Sequence, residues 1–545
     1  MVDIKKINKA SNFVKVGDFD SAEKIYYELL RDNPNNETVM SFWGLFQLKK
    51  GNFNKAEKIL ERAYNLKKSA STIAALAMTK FHNKKYDDAV ILYEELFRFD
   101  KGSPRIFFKI ILAFKQLGMY DFAHAYCLKF LQKHPNDMNA LVLMTQNSMD
   151  LGNYNDAEEY CRKTMELYPD NPSNWIHAGL LQELKYCNDE VAQECYRTAI
   201  ANGDKQGYYH LAVSLEKVKK YDEALECFQK CIENNVDLNA TIPSLGILLL
   251  KLKDFENGFK NFIQREVSIE IGALKNRWVG KGEKYISQEK TILVYCDQGF
   301  GDCIHFARYL PYLNEKFSKV IVYCKKPILP LLARNFSSID FVSENLNKQI
   351  YDVSLLITDL PYYLSIDFDN IPTPDKYLEP NKLLVEKYHS EYFNTDKLKV
   401  GLCWKAGGMG IRAAINRTIN IDYFKPLFDL ENVEFYSFQK EDIFDGCKKY
   451  PKMIDLGSTF ESFEDTTAAM ENLDLMISAD TVTLHIAGAI GKSSILLIPY
   501  CPDWRWFDNE ETTEWYSSVK ILKQQDNQDW YIEAEKLKEI INNSL

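Results

Sequence analysis

Two short stretches carry residues with chemical potential. Asp297-Gln298-Gly299-Phe300-Gly301-Asp302 places two carboxylates around a glycine pair, and Asp480-Thr481-Val482-Thr483-Leu484-His485 groups a carboxylate, hydroxyls and an imidazole. Each follows an apolar run and precedes an amphipathic one, so each reads as a strand, a turn and the start of a helix. Glycines let a backbone turn tightly and approach a ligand, and amides at a helix start offer donors and positive dipole to an anion. Hydroxyls and an imidazole there suit a ribose or a diphosphate. Lys405 after the run Leu398 to Trp404, and Gln439-Lys440-Glu441 after Val433 to Phe438, put further polar groups at strand ends. Taken singly, Asp480 is equally an N-cap and His485 a satisfied core histidine.

These groups need a parallel sheet to bring them together. Thr291 to Cys296, Val320 to Cys324 and Tyr351 to Ile357 read as short buried strands, alternating with helices from Asp302 and from Ile328 to Arg334. The prolines of the stretch Asp367 to Pro380 interrupt the pattern. A second series then runs through Leu398 to Trp404, Val433 to Phe438, Leu473 to Ser478 and Ser494 to Pro499, with helices near Tyr423 to Phe428, Ser462 to Glu471 and Thr483 to Ile490. Two α/β domains in succession are predicted, with ligands expected beyond the carboxyl ends of the strands. The Asp367-Phe368-Asp369 triplet resembles a metal-binding DxD, but Asp18-Phe19-Asp20 repeats it in a different context, which makes it a weak signal.

The first half follows a different period. Gly17-Asp18-Phe19-Asp20-Ser21-Ala22 recurs as Gly51-Asn52-Phe53-Asn54-Lys55-Ala56, and related turns lead to Ala89, Ala123, Ala157, Ala192, Ala224 and Gly258, at steps of 32 to 35 residues. Eight units of two helices each are predicted, a pattern that resembles tetratricopeptide repeats. Stacked pairs of this kind form a superhelix whose concave groove holds peptides or partner proteins. Asn147, Asn174 and Tyr208 fall on first helices, the side that tends to line such a groove. Beyond Arg265 the period fades, and Gly272, Gly280 and Gly282 mark a connection. The predicted organisation is therefore a repeat superhelix over 1–268, a connection over 269–289, a first Rossmann-like half over 290–392 and a second over 393–545.

Composition bounds the function. The chain has 545 residues, 46% hydrophobic and 26% charged, with a net charge of −10, which argues against broad nucleic-acid or anionic-membrane binding. No apolar run reaches the roughly 18–20 residues of a membrane span, and Met1 to Ala10 lacks the apolar core of a secretory signal. Twelve scattered cysteines fit a reducing compartment. Cys227 and Cys231, four apart without a histidine pair, read as small buried hydrophobes. A cytoplasmic address is expected.

Gly301-Asp302 after the first strand, Asn416-Arg417-Thr418-Ile419, and Asp480-Thr481 with His485 together resemble bacterial heptosyltransferases (glycosyltransferase family 9), whose two Rossmann-like halves form the GT-B arrangement. Phe306-Ala307-Arg308-Tyr309-Leu310-Pro311 and Pro502-Asp503-Trp504-Arg505-Trp506 are similar to bacterial proteins that fuse tetratricopeptide repeats to this fold. The overall plan is also similar to O-linked N-acetylglucosamine transferase. The resemblance implies a fold of α-solenoid plus GT-B. It implies Asp302 as general base, with Gln298, Gly299 and Gly301 as the acceptor-side loop. Arg417 would contact phosphate, and Asp480, Thr481 and His485 would line the nucleotide-sugar pocket. Lys405, Gln439 and Lys440 join that pocket by position. No metal or other cofactor is expected, the nucleotide-sugar being a substrate. The implied activity is transfer of a sugar to a hydroxyl, with Ser or Thr of a flagellin-like protein as acceptor. Alternatives are a lipid-linked or polysaccharide acceptor, or a non-catalytic scaffold with a degenerate nucleotide-binding half. Val482, where the family pattern has glycine, motivates the scaffold reading.

Overall fold

The computed structural model describes residues 4–15, 18–99, 104–265, 276–278, 286–407, 417–440, 446–508, 511–525 and 529–543. Gly17, Gly272, Gly280, Gly282, Gly408, Asn416 and Glu441 lie outside the described residues. The chain forms two compact units, Met1–Gly207 and Tyr208–Leu545.

Helix pairs fill the first unit, from Ile4–Lys15 with Phe19–Asp32 to Ser173–Lys185 with Asp189–Ala201. Two more pairs, Gly207–Lys217 with Tyr221–Glu233 and Leu238–Lys251 with Phe255–Phe262, bring the described pairs to the eight units of the sequence period. The recurrent small residue is the packing point within each pair. Ala22, Ala56, Ala89, Ala123, Ala157, Ala192 and Ala224 are all fully buried. At the eighth position a Cβ on Gly258 would stand 2.7 Å from Leu250 Cγ. Turns ahead of these second helices need one residue in the left-handed region. Glycine supplies it at Gly51, Gly118 and Gly152, whereas Lys84, Cys187, Lys219 and Lys253 adopt it at the steric cost of a Cβ. Side-chain caps start many of the helices: Asp18 accepts from Ser21 N, Asn36 from Val39 N, Asp137 from Ala140 N and Asp254 from Asn257 N.

Asn147 and Asn174 are spent on packing between helices. Asn147 is buried with its amide on Cys127 Sγ at 3.4 Å, and Asn174 donates to Tyr168 O at 2.8 Å. Tyr208 is half-buried. At Gly246 it is backbone that comes close: a Cβ would lie 2.6 Å from Phe262 N and 2.9 Å from Gly258 O. Backbone cannot yield as a side chain can, so Gly246→Ala is expected to destabilise the second unit by about 1–3 kcal/mol, seen as a lower urea midpoint.

The second unit also contains two parallel sheets. The first comprises β1 (Ser287–Tyr295), β2 (Phe317–Tyr323), β3 (Asp340–Val342) and β4 (Val353–Leu356), in the order β3-β2-β1-β4. The second comprises β5 (Leu398–Cys403), β6 (Val433–Ser437), β7 (Ile454–Asp455), β8 (Leu475–Ala479), β9 (Ser494–Ile498) and β10 (Val519–Lys523), in the order β10-β9-β8-β5-β6-β7. Every strand pair within these sheets is parallel. Strand residues alternate between two cores, as a period of two requires. Val400, Leu402, Ile477, Ile495 and Leu497 face the terminal helix Tyr531–Asn542 through Leu537 and Ile541. Cys403, Met476, Leu496 and Ile498 face the opposite core, which is continuous with that of β1 and β2 and with Phe255 and Phe259 of the last helix pair.

In each sheet the chain reverses its direction of strand addition beside the first strand, between β1 and β4 and between β5 and β8. Such switch points open a crevice beyond the strand ends. The Asp367-Phe368-Asp369 triplet is a turn: Asp367 Oδ1 accepts from Phe368 N at 2.7 Å, and Asn370 Oδ1 accepts from Asp367 N at 2.8 Å.

Candidate functional site

At the β1 end, Tyr295 leads through Cys296 and Asp297 into the helix Phe300–Ala307. The left-handed residue of this turn is Gln298 (φ 65°); Gly299 is extended at φ −86° and Gly301 is already helical. The glycines are therefore required for reasons other than a positive φ. Gly299 N donates to Asp302 Oδ2 at 3.1 Å, closing the first turn on its own carboxylate. A Cβ on Gly301 would lie 2.9 Å from His485 Cδ2 and 3.6 Å from Val482 Cα. Glycine thus lets two helix starts meet, one after β1 and one after β8.

The second of these is the helix Val482–Ala489, with Thr481 as its N-cap residue. Leu484 N and His485 N both donate to Thr481 O, at 3.1 and 3.4 Å, which leaves the amides of Val482 and Thr483 at the helix start without an intrahelical acceptor. Asp480 is buried just ahead of it, with Arg417 Nη1 3.9 Å from Oδ2 and His485 Nε2 3.8 Å from Oδ1. Arg417 is held there through its neighbourhood: Ile419 N donates to Trp404 O at 2.8 Å, docking this segment on the end of β5. Thr481 Oγ1 lies 3.1 Å from Ser478 Oγ.

The third contributor comes from the loop after β9. Arg505 pairs with Asp302 Oδ1 through Nη2 and donates to Asp503 Oδ1 through Nη1 at 2.7 Å. Its guanidinium lies 4.8 Å from the ring centre of Trp504, and its carbonyl accepts from Trp515 Nε1 at 2.6 Å. Among the described residues, Arg505 Nε is buried without a hydrogen-bond partner. Three carboxylates, Asp302, Asp480 and Asp503, therefore surround two guanidiniums at the meeting of the helix starts. In the sequence Arg505 stands within Pro502-Asp503-Trp504-Arg505-Trp506, where nothing local assigns it a role. Its partner Asp302 lies 203 positions away, a separation that leaves no local spacing to read.

His485 is a connected core residue. Its Nδ1 lies 2.9 Å from Tyr516 Oη, which is also 3.2 Å from His305 Nδ1. Tyr516 fits because Gly488 leaves the space; a Cβ there would be 2.3 Å from Tyr516 Cδ1. Burial pushes the His485 imidazole well below its ordinary pKa, so at neutral pH it offers hydrogen bonds and no positive charge. The other expected residues divide by location. Gln439 is buried, and its Oε1 accepts from Lys405 N at 2.9 Å, joining the ends of β5 and β6. Lys440 Nζ donates to Phe460 O at 2.8 Å. Lys405 has an exposed side chain beside them. Asp302, Arg417, Asp480, Thr481 and His485 thus gather around the β5/β8 crevice, while the side chains of Gln439 and Lys440 brace loops at the β6 side.

Burial, reinforced by Asp503 and opposed by Arg417 and Arg505, pushes the Asp480 carboxyl up to about 6. Burial also raises Asp302, against the pull of Arg505. A raised carboxyl keeps its proton in the folded protein after the unfolded chain has lost it. Between the ordinary aspartate value and about 6, the folded state binds more protons, so this group's contribution to stability falls as pH rises through that window. Asp480→Asn removes the slope. The variant is expected to gain on wild type by a few °C in Tm at pH 7 relative to pH 4.5, read by thermal denaturation at both values.

Residues 206–237 match the tetratricopeptide repeat family. With the helix pairs and their buried small residues, this makes the helical region a tetratricopeptide-repeat array. Over 280 residues, 45% of this chain, the sequence is 22% identical to protein FlbA of Caulobacter vibrioides, and the match spans 44% of that protein. Among solved structures, a tetratricopeptide repeat protein from Parabacteroides merdae aligns with 45% of this chain and 98% of its own, at 17% identity and a TM-score of 0.41. TTC0263 of Thermus thermophilus aligns with 33% of this chain and all of its own (100%), at 17% identity and a TM-score of 0.30.

Proposed function

We propose that the α/β part is a glycosyltransferase of GT-B type that moves a sugar from a nucleotide donor to a hydroxyl, with Ser or Thr of a protein recruited by the repeats as acceptor. The observation that carries this reading is the meeting of the two helix starts. It sets a carboxylate, Asp302, beside a cluster suited to a diphosphate, in a crevice beyond the ends of parallel strands.

In this mechanism Asp302 takes the proton of the acceptor hydroxyl as its oxygen attacks the anomeric carbon. The bond from that carbon to the diphosphate oxygen breaks, and the departing charge is met by Arg417 and the first amides of Val482–Ala489. Cationic side chains and helix amides then perform the neutralisation for which other transferases use a metal. Thr481 and the neutral His485 supply hydrogen bonds to the donor.

The test is incubation with nucleotide-sugars and candidate protein acceptors, read by intact mass, together with calorimetry using nucleoside diphosphates. Transfer is expected, as is a loss of about tenfold or more in diphosphate affinity in Arg417→Ala, the cost of one charge-assisted contact. Absence of transfer with every donor and absence of diphosphate binding would reject this reading. A second reading, a repeat scaffold without catalysis, draws on a specific observation: both oxygens of Asp302 are already engaged, by Gly299 N and by Arg505. It expects neither binding nor transfer.

A further inference from the structure

The least explained group in this cluster is Arg505. Its side chain is 13% exposed, bridges Asp302 and Asp503, and leaves the Nε–H buried without an acceptor among the described residues. An unmet buried N–H costs about 1–3 kcal/mol and is a donor that an incoming oxygen can take. The guanidinium sits on the face of Trp504 and within 5.7 Å of the Phe306 ring centre, surfaces along which a planar cation can shift without losing its packing. Asp503 holds Nη1 from only two residues away, and its Oδ1 also accepts from Arg505 N at 3.1 Å. That anchor belongs to the same turn, Trp504–Trp506. The bond to Asp302 is the one that crosses from the β9 loop to the β1 turn.

We infer that Arg505 is an exchangeable diphosphate ligand: an incoming diphosphate takes its Nη2 and Nε donors, and Asp302 is released in the same step. The inference rests on the reading of this crevice as a nucleotide-sugar site, and it deepens it. While Arg505 pairs with Asp302, the carboxylate is occupied and poorly placed to accept a proton. Donor binding removes the pairing, so the base becomes available only when a sugar is present to be attacked. The order of events is donor first, acceptor second. Asp302 and the diphosphate compete for one cation, and that competition gives a signature a static ion pair lacks.

The experiment measures binding of inorganic pyrophosphate and of UDP, GDP, CDP and ADP to the full chain by calorimetry, for wild type, Asp302→Asn, Arg505→Lys and the double variant. Asp302→Asn keeps the shape of the side chain and removes the competing charge. It is expected to tighten diphosphate binding about tenfold, whereas Arg505→Lys weakens it by a similar factor. In the Arg505→Lys background, Asp302→Asn is expected to gain much less, because the two effects pass through one contact. Binding by wild type with an unchanged affinity in Asp302→Asn would overturn the exchange and leave the nucleotide site standing. Equal gains from Asp302→Asn in both backgrounds would overturn it as well, since the effect would then be general electrostatics. No binding of any diphosphate to wild type or to Asp302→Asn would instead remove the site reading on which the inference depends.

Discussion

Asp302→Asn is expected to lower the rate of sugar transfer by about 10²–10⁴-fold, the usual worth of a positioned general base. The change removes a proton acceptor and the charge paired with Arg505, and keeps the shape of the side chain. An asparagine oxygen can still accept from Gly299 N, so the turn after β1 keeps its closure, and Arg505 keeps Asp503. The loss should therefore fall on kcat, while donor KM falls as well, because the charge that competes with the donor diphosphate for Arg505 is gone. Comparable rates in the variant would show that the acceptor proton leaves by another route and would remove Asp302 from the chemistry. Because Asp302→Asn also discharges a buried carboxylate, its Tm at pH 7 should not fall, which separates lost catalysis from lost folding.

The largest structural effect is expected at Arg265. Its guanidinium lies in the switch-point region between β1 and β4, donating to Asp297 Oδ2 and Asp359 Oδ1, each at 2.7 Å, and pairing with Thr358 Oγ1. The two carboxylates are 2% exposed. Breaking a buried pair leaves uncompensated charge, so Arg265→Met should destabilise the second unit by about 3–5 kcal/mol, seen in the urea unfolding of that unit. Asp297 retains Thr358 and Asp359 retains Arg277 at 3.3 Å, which places the expectation at the lower end of that range. Burial already raises the Asp359 carboxyl, so the damage should shrink at acid pH, where the orphaned group can protonate. A loss below 1 kcal/mol would mean that water or Arg277 compensates for the missing cation.

Much of this architecture was legible because its signals are local. The repeats announce themselves by a glycine or lysine turn followed by a buried alanine, and the long strands by apolar runs of the right length. β3 and β7 were missed because two or three residues are too few to show a period, and β10 because lysines break its apolar run. The helix expected from Asp302 stops at Ala307, and a second short helix starts at Pro311, whose ring suits a first helical position. The site divides in the same manner. Asp302, Asp480, Thr481 and His485 were visible as polar residues ending apolar strands. The cations that pair with the carboxylates across the fold, Arg505 with Asp302 and Arg265 with Asp297 and Asp359, were not, since neither pairing has a sequence spacing of its own. Gly301 was read as a backbone hinge and serves as a spacer between helices, a difference only the facing element reveals.

The sharing of one core by the last helix pair and the sheets limits how this chain can change its length over evolution. Phe255 lies edge-on to Trp504 and stacks with Trp515, and Lys251 pairs with Glu216 while donating to Cys501 Sγ. Duplicating or deleting a repeat upstream of Tyr208 exchanges one alanine-packed pair for another. The same event between Tyr208 and Arg265 would remove or displace side chains that the α/β core has no substitute for. Repeat number is thus expected to drift among relatives at the amino-terminal end, with the final two pairs inherited together with the sheets they pack against.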